Sequence, residues 1–151
     1  MKKAGVKMRV QYAALPYRAD EETVEILLVT SLGTKRWIIP KGWPMNGREP
    51  HEAAAREALE EAGVVGTVGA EAIGTYSYEK RRKSGATVPC NVEVFPLDVG
   101  TQRKRWREKG RREVKWLPVE EAAKTVSDAG LGELILAWSR RRRAAEPAAT
   151  E

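Results

Sequence analysis

Glu57, Glu60 and Glu61 form a carboxylate group within the run Arg56-Glu57-Ala58-Leu59-Glu60-Glu61-Ala62-Gly63-Val64. At a helical period they occupy roughly a 100° arc, while Ala55, Ala58, Leu59 and Ala62 fall on the opposite face. Ala53 and Ala54 lie beside the acidic arc and leave the space above Glu57 uncluttered. Clustered carboxylates repel one another, and a divalent cation reverses the sign of that repulsion. Oxygen ligands suit Mg²⁺ or Mn²⁺, and phosphate oxygens complete such a shell. A solvated acidic face in which Arg56 pairs with Glu60 uses the same residues.

The preceding loop, Pro40-Lys41-Gly42-Trp43, favours the first reading. Gly42 lets backbone approach a metal or a phosphate, and Lys41 puts a positive group at the mouth of the loop. Trp37 and Trp43 are expected to pack in the core or their loop rather than to act as stacking platforms.

Elements must hold these groups in place. Residues 10–15 and 24–30 read as strands joined by the charged segment 18–22, and residues 37–39 continue the apolar material until Pro40 and Gly42 interrupt it. Pro50 suits a first helical turn and Gly63 a helix end. Glu49 is a mediocre cap where Ser or Thr would serve better. Residues 73–78, 90–97 and 114–117 read as further strands, residues 118–126 as a helix, and residues 131–142 as a second helix with Leu131, Leu134, Ile135 and Trp138 on one apolar face. Strands on both sides of a central helix, followed by helices, predict an α/β layer arrangement.

The 151 residues suffice for one domain. Apolar runs stay well short of the roughly 18 residues of a membrane span, and Met1-Lys2-Lys3 precedes too little hydrophobic sequence for an export signal, so a cytoplasmic location is expected. Cys90 is the single cysteine, which excludes an internal disulfide and suggests a small buried side chain. The net charge is +6, and setting aside Arg140, Arg141, Arg142, Arg143, Glu146 and Glu151 leaves about +4 on residues 1–139. That bias favours an anionic ligand over a neutral one. The four consecutive arginines suit the negative end of a helix dipole.

Taken together, Gly42, Arg56, Glu57, Glu60, Glu61, Gly63 and Val64, with Ala58 at a weakly apolar place, resemble the Nudix box. Arg48 stands where that pattern has its first glutamate, and Glu49 is displaced by one residue. The resemblance implies a Nudix-type α/β/α sandwich with a mixed central sheet over residues 1–143, followed by a disordered tail, 144–151. It also implies metal ligation by Glu57, Glu60, Glu61 and the Gly42 backbone, with Arg56 orienting Glu57. The cofactor would be Mg²⁺ or Mn²⁺, and a glutamate in the box (Glu57 or Glu61) or in a later loop (Glu108) would take a proton from the attacking water.

More finely, Leu15-Pro16-Tyr17-Arg18, the 40–45 loop and Tyr76-Ser77-Tyr78-Glu79-Lys80 are similar to the bacterial branch related to diphosphoinositol polyphosphate and diadenosine polyphosphate phosphohydrolases. The expected partner is therefore a polyphosphorylated small molecule, held by Arg18, Lys41, Lys80, Arg81, Arg82, Lys83, Arg103 and Arg105, with Lys104 and Arg107 nearby. ADP-ribose, nucleoside triphosphates and capped RNA stay open as substrates. A non-catalytic RNA- or polyphosphate-binding module is a reading of a different class. No membrane partner is expected, and both monomer and homodimer fit the sequence.

Overall fold

The computed structural model describes residues 8–145. Along the chain run β1 (Arg9–Ala19), β2 (Val24–Thr30), β3 (Trp37–Ile38), β4 (Lys41–Gly42), α1 (Pro50–Ala62), β5 (Val64–Val68), β6 (Gly74–Arg81), β7 (Thr87–Gln102), β8 (Val114–Pro118), α2 (Val119–Thr125) and α3 (Ala129–Ala145). Among the described residues the strands form one eight-stranded sheet. β1 and β7 pair in parallel while β2 and β4 run antiparallel to β1, so the sheet is mixed.

Strand alternation divides the core into two layers. Ala13, Leu15, Ile26, Leu28, Val92 and Val94 point to the face covered by α2 and α3, where Ala122, Leu131, Ile135 and Trp138 meet them. Ala14, Leu27, Val29, Phe95 and Leu97 point to the other face, against Ala54, Ala58 and Ala62 of α1. Alanines at this interface let the helix backbone lie close to the sheet. The expected α/β/α sandwich with a mixed sheet is the architecture found.

Several boundaries differ from those read in the sequence. Segment 64–68 is a strand although glycines surround it. Its Gly66 crosses so near β7 that a Cβ would lie 1.9 Å from the Asp98 carbonyl oxygen, and the register shifts between Val65 and Gly66. Glycine is a close-packing device here and does not end the strand. The β6–β7 hairpin is longer than expected, with pairing that continues to Arg81 opposite Thr87. Lys80 and Arg81 therefore belong to a strand, because backbone pairing tolerates charged side chains that are not driven into the core.

In α1 the buried positions are Ala53, Ala54, Ala58, Glu61 and Ala62. Ala55 and Leu59, expected on the buried back, are only half-buried and line an outer groove with Arg48 and Val65. The buried stripe is rotated toward the acidic edge because β4 covers that side of the helix. At the other end the Glu49 amide donates to the Glu52 carboxylate at 2.8 Å, so Glu49 receives its helix start from a residue one turn on.

Helix α3 extends to Ala145, past the expected start of the tail at 144. Residues 146–151, and the Met1-Lys2-Lys3 segment, lie outside the described residues. The arginines at the end of α3 are not uniformly solvated: Arg141 donates to the Ile73 carbonyl at 2.9 Å, and the Arg142 guanidinium lies 5.1 Å from the Tyr17 ring. Among the described residues no helix is long and apolar enough to cross a membrane.

Leu27→Ala should cost about 2–5 kcal/mol in urea unfolding, because Leu27 is 0% exposed between sheet and α1. Leu32→Ala, at a position 43% exposed, should change stability by less than about 0.5 kcal/mol.

Candidate active site

Pairing of β4 with β1 sets Gly42 opposite Tyr12 and Lys41 opposite Ala13, and so brings this short strand over α1. The approach is tight: a Cβ on Gly42 would lie 2.0 Å from Glu57 Oε2. Only glycine leaves room for the Glu57 carboxylate against the backbone.

The C-terminal carbonyls of α1 are taken up by the returning chain, which fixes the far side of the site. Gly63, at φ +74°, donates to the Leu59 carbonyl at 3.0 Å. The Gln102 side-chain amide donates to Ala62 at 3.2 Å, the Arg103 amide to Gly63 at 2.8 Å, and the Glu108 amide to Glu60 at 3.0 Å. The last bond sets Glu108 beside the acidic edge of the helix.

The carboxylates have different partners. Glu60 accepts from Arg56 Nε at 2.8 Å, with Arg107 at 3.9 Å. Arg56 thus holds Glu60, not the Glu57 that the resemblance implied, because an i,i+4 pair lies directly above and below on the helix surface. Glu61 is only 4% exposed. Arg112 approaches it at 3.7 Å and binds Glu108 at 2.7 Å, while also donating to the Thr30 carbonyl at 3.0 Å.

Burial is the largest influence on Glu61 and pushes its carboxyl up to about 9 despite the opposing Arg112 charge. Burial also raises Glu57, and its carboxyl shares a hydrogen bond with Glu61 that favours the charged form of Glu57. Without a cation, then, Glu61 keeps a proton and Glu57 accepts it.

Across from these acids a cavity of about 200 Å³ is lined by Gln11, Lys41, Glu61, Tyr78, Lys80 and Arg112. The Lys41 amine sits 4.9 Å from the centre of the Tyr78 ring. Burial pulls it down to about 8, the Glu61 charge opposing. The Tyr78 hydroxyl, raised chiefly by burial, stays protonated and donates to Gln11 at 2.7 Å.

The structure thus gathers Gly42, Glu57, Glu60, Glu61, Arg56, Glu108, Lys41 and Lys80 in one region. Arg81, Arg82 and Lys83 line an adjoining cavity that shares Lys80. Arg18 is elsewhere: it lies six residues along β1 from Tyr12, about 20 Å in an extended strand, paired with Glu25 at 2.7 Å and stacked 4.0 Å from the Trp116 ring. Arg103 and Arg105 have exposed side chains, and Arg103 contributes its backbone amide to the end of α1. Trp43, expected to pack, is 38% exposed.

Sequence reasoning passed over Arg112, Gln11 and Tyr78 as site residues. Arg112 was one of many cations in basic loops, and only the pairing of β8 with β2 next to it shows which arginine turns inward.

The donor set fits a hard divalent cation in part. Glu61 offers a buried carboxyl and Glu57 a half-buried one beside it, and Gly42 leaves backbone open next to them. Among the described residues no three acidic, histidine or cysteine side chains already converge as a coordination shell, since Glu60 is turned to Arg56.

In chelator, stability of the metal-free protein should fall as pH rises from about 5 to about 8. The folded state retains the Glu61 proton up to about 9 whereas the unfolded chain loses it near 4.5, and rising pH favours the state that binds fewer protons. Glu61→Gln should flatten that slope in urea titrations, and an unchanged slope would contradict the assignment.

The family model for the NUDIX domain matches residues 7–137. Nudix hydrolase 21, chloroplastic, of Arabidopsis thaliana is 32% identical over 133 residues, covering 85% of this chain and 65% of that protein. The chain therefore spans less than two thirds of that relative's length. Diphosphoinositol polyphosphate phosphohydrolase 3-alpha of Mus musculus is 33% identical over 125 residues, covering 81% of this chain and 70% of that protein. A C. elegans Ap4A hydrolase in a binary complex superposes with a TM-score of 0.68 at 23% identity, covering 91% of this chain and 99% of the other, which shows a shared fold. Members of this family generally need divalent metal ions. With the family model spanning both layers of the sandwich and the whole acidic edge of α1, the chain belongs to the Nudix family.

Proposed function

We propose that the chain hydrolyses a phosphoanhydride bond in a highly phosphorylated small molecule, such as a diphosphoinositol polyphosphate or a diadenosine polyphosphate, with Mg²⁺ or Mn²⁺. The observation that carries this reading is the cavity where Glu61 meets Lys41, Lys80 and Arg112. Carboxylate oxygens for a cation stand there against three positive groups for phosphate oxygens. Arg112 is already paired with Glu108 at 2.7 Å, so among the described residues a neutral substrate would leave the Lys41 and Lys80 amines without an anion in ion-pair contact.

Glu57 and Glu61 would hold the ion, with Glu60 joining them on release from Arg56 and Gly42 contributing backbone. When bound, the ion neutralises phosphate oxygens and lowers the pKa of the attacking water. Lys41, fixed over Tyr78, and Lys80 orient the phosphate chain. Among the described residues Glu57 has no ion pair of its own, so it is the best-placed base for the water proton. Glu108 is committed to Arg112, and the two together hold a positive group beside Glu61. The similarity to a diphosphoinositol polyphosphate phosphohydrolase supports the substrate class.

A Mg²⁺-dependent screen should show turnover of diphosphoinositol or diadenosine polyphosphates above ADP-ribose and nucleoside triphosphates, with products resolved by mass. Preference for ADP-ribose would overturn the substrate class. Salt-sensitive RNA binding without Mg²⁺-dependent phosphate release would overturn catalysis itself. Glu61→Gln should lower kcat by about 100-fold or more while circular dichroism stays native, because the amide cannot supply the anionic oxygen that would hold the ion.

A further inference from the structure

We propose that β5 is a docking edge for a second copy of the chain, the two strands pairing in antiparallel sense about Gly66 to form a weak, twofold-symmetric dimer. The groove beside this edge shares no residue with the cavity of Glu61, so the pairing stands apart from the proposed hydrolysis.

Among the described residues β5 has a neighbouring strand on one side only, where it pairs with β7. An unpaired strand edge is a template for another chain, and proteins blunt such edges with charge, proline, bulges or a covering element. The other borders of the sheet show this treatment. β6, on the same side of β7, carries Glu79, Lys80 and Arg81, and α3 packs against it. β8 carries Lys115 and ends in Pro118. β5 reads Val64-Val65-Gly66-Thr67-Val68, with neither charge nor proline. The register shift beside it leaves the extra residue, Gly100, in β7, so β5 itself runs unbroken. An open groove of about 570 Å³ follows it where a covering element would lie, and Val65 is 37% exposed.

Two features select a second copy over an unrelated strand. The first is the symmetry of β5 itself. Reversed about Gly66, it sets Val64 opposite Val68 and Val65 opposite Thr67, so every side chain meets another that is branched at Cβ, the kind that packs well across strands. Gly66 falls on the twofold axis, where it has no side chain to collide with its own copy. The second is charge. Arg103 stands at the start of β5, its amide bonded to the Gly63 carbonyl, and Glu71 stands just past the end of the strand; both side chains are exposed. An antiparallel copy brings the start of each strand to the end of the other, and so Arg103 of each to the Glu71 end of the other. A parallel copy would set like charges together. Five paired residues make a small contact, which is why the dimer is weak.

Sedimentation equilibrium of the full chain, from micromolar to millimolar concentration, should show monomer and dimer in reversible exchange. Amide hydrogen exchange across residues 64–68 should slow as concentration rises. Val65→Lys should weaken the dimer about 10-fold or more, as charge on a strand edge does, with circular dichroism unchanged. Glu71→Arg alone and Arg103→Glu alone should each weaken it about 10-fold, because a rim contact in a twofold dimer is lost twice. The two reversals together should restore wild-type affinity, which also shows that neither acts by damaging the fold. A chain that stays monomeric at every concentration, a dimer indifferent to Val65→Lys, or charge reversals that fail to rescue one another would overturn the proposal.

Discussion

A carboxylate pressed against a backbone leaves no space for a side chain between them, and the contact of Glu57 with Gly42 sets the distance between sheet and helix at the acidic edge. β4 is only two residues long, held to β1 by pairing at Tyr12 and Ala13. A methyl group on Gly42 would push this short strand or the glutamate away, since a Cβ would meet Glu57 Oε2 at 2.0 Å. Moving the strand would carry Lys41 with it, because Lys41 is the other residue of β4. One absent side chain therefore positions an acid and a base of opposite charge in the same small volume.

Electrostatics at the site are those of a structure held ready for a ligand. Glu61 is buried with a proton it would lose in water, and Lys41 is buried with its own charge disfavoured. Each alone opposes folding, and each would be relieved by a species bearing the opposite charge: a cation for the acids, an anion for the lysine. Arg112 softens the first conflict without removing it, standing at 3.7 Å from Glu61 while its shorter bond goes to Glu108. The arrangement stores unfavourable interaction at the place where binding can release it.

The acidic edge was legible in the sequence because it is local. A helical period suffices to align Glu57, Glu60 and Glu61, and Gly42 announces a close approach. The rotation of the buried stripe was not legible, since Ala55 and Leu59 differ from Ala54 and Ala58 only in where β4 happens to cross. Gly66 hid β5 by looking like punctuation, and the cations of β6 hid the length of the hairpin. Arg112 was beyond reach for a simpler reason: among so many arginines only strand register tells which faces inward. The substrate residues suffered likewise, with Lys80 and Arg18 equally plausible in one dimension and set far apart by the sheet in three.

β7, the sixteen-residue strand, pairs with β6 and then with β5 along its length, and with β1 over residues 90–98 between them. Its C-terminal part carries the chain toward the Glu108 loop, and its N-terminal part toward the basic hairpin. The last ladder pair is Arg81 with Thr87, and the turn beyond it is closed by the Arg82 amide donating to the Ala86 carbonyl at 2.8 Å. Residues can therefore be gained or lost in that turn without shifting the register that holds the acids. In evolutionary terms, the length of that turn is free to drift while the acids stay in place.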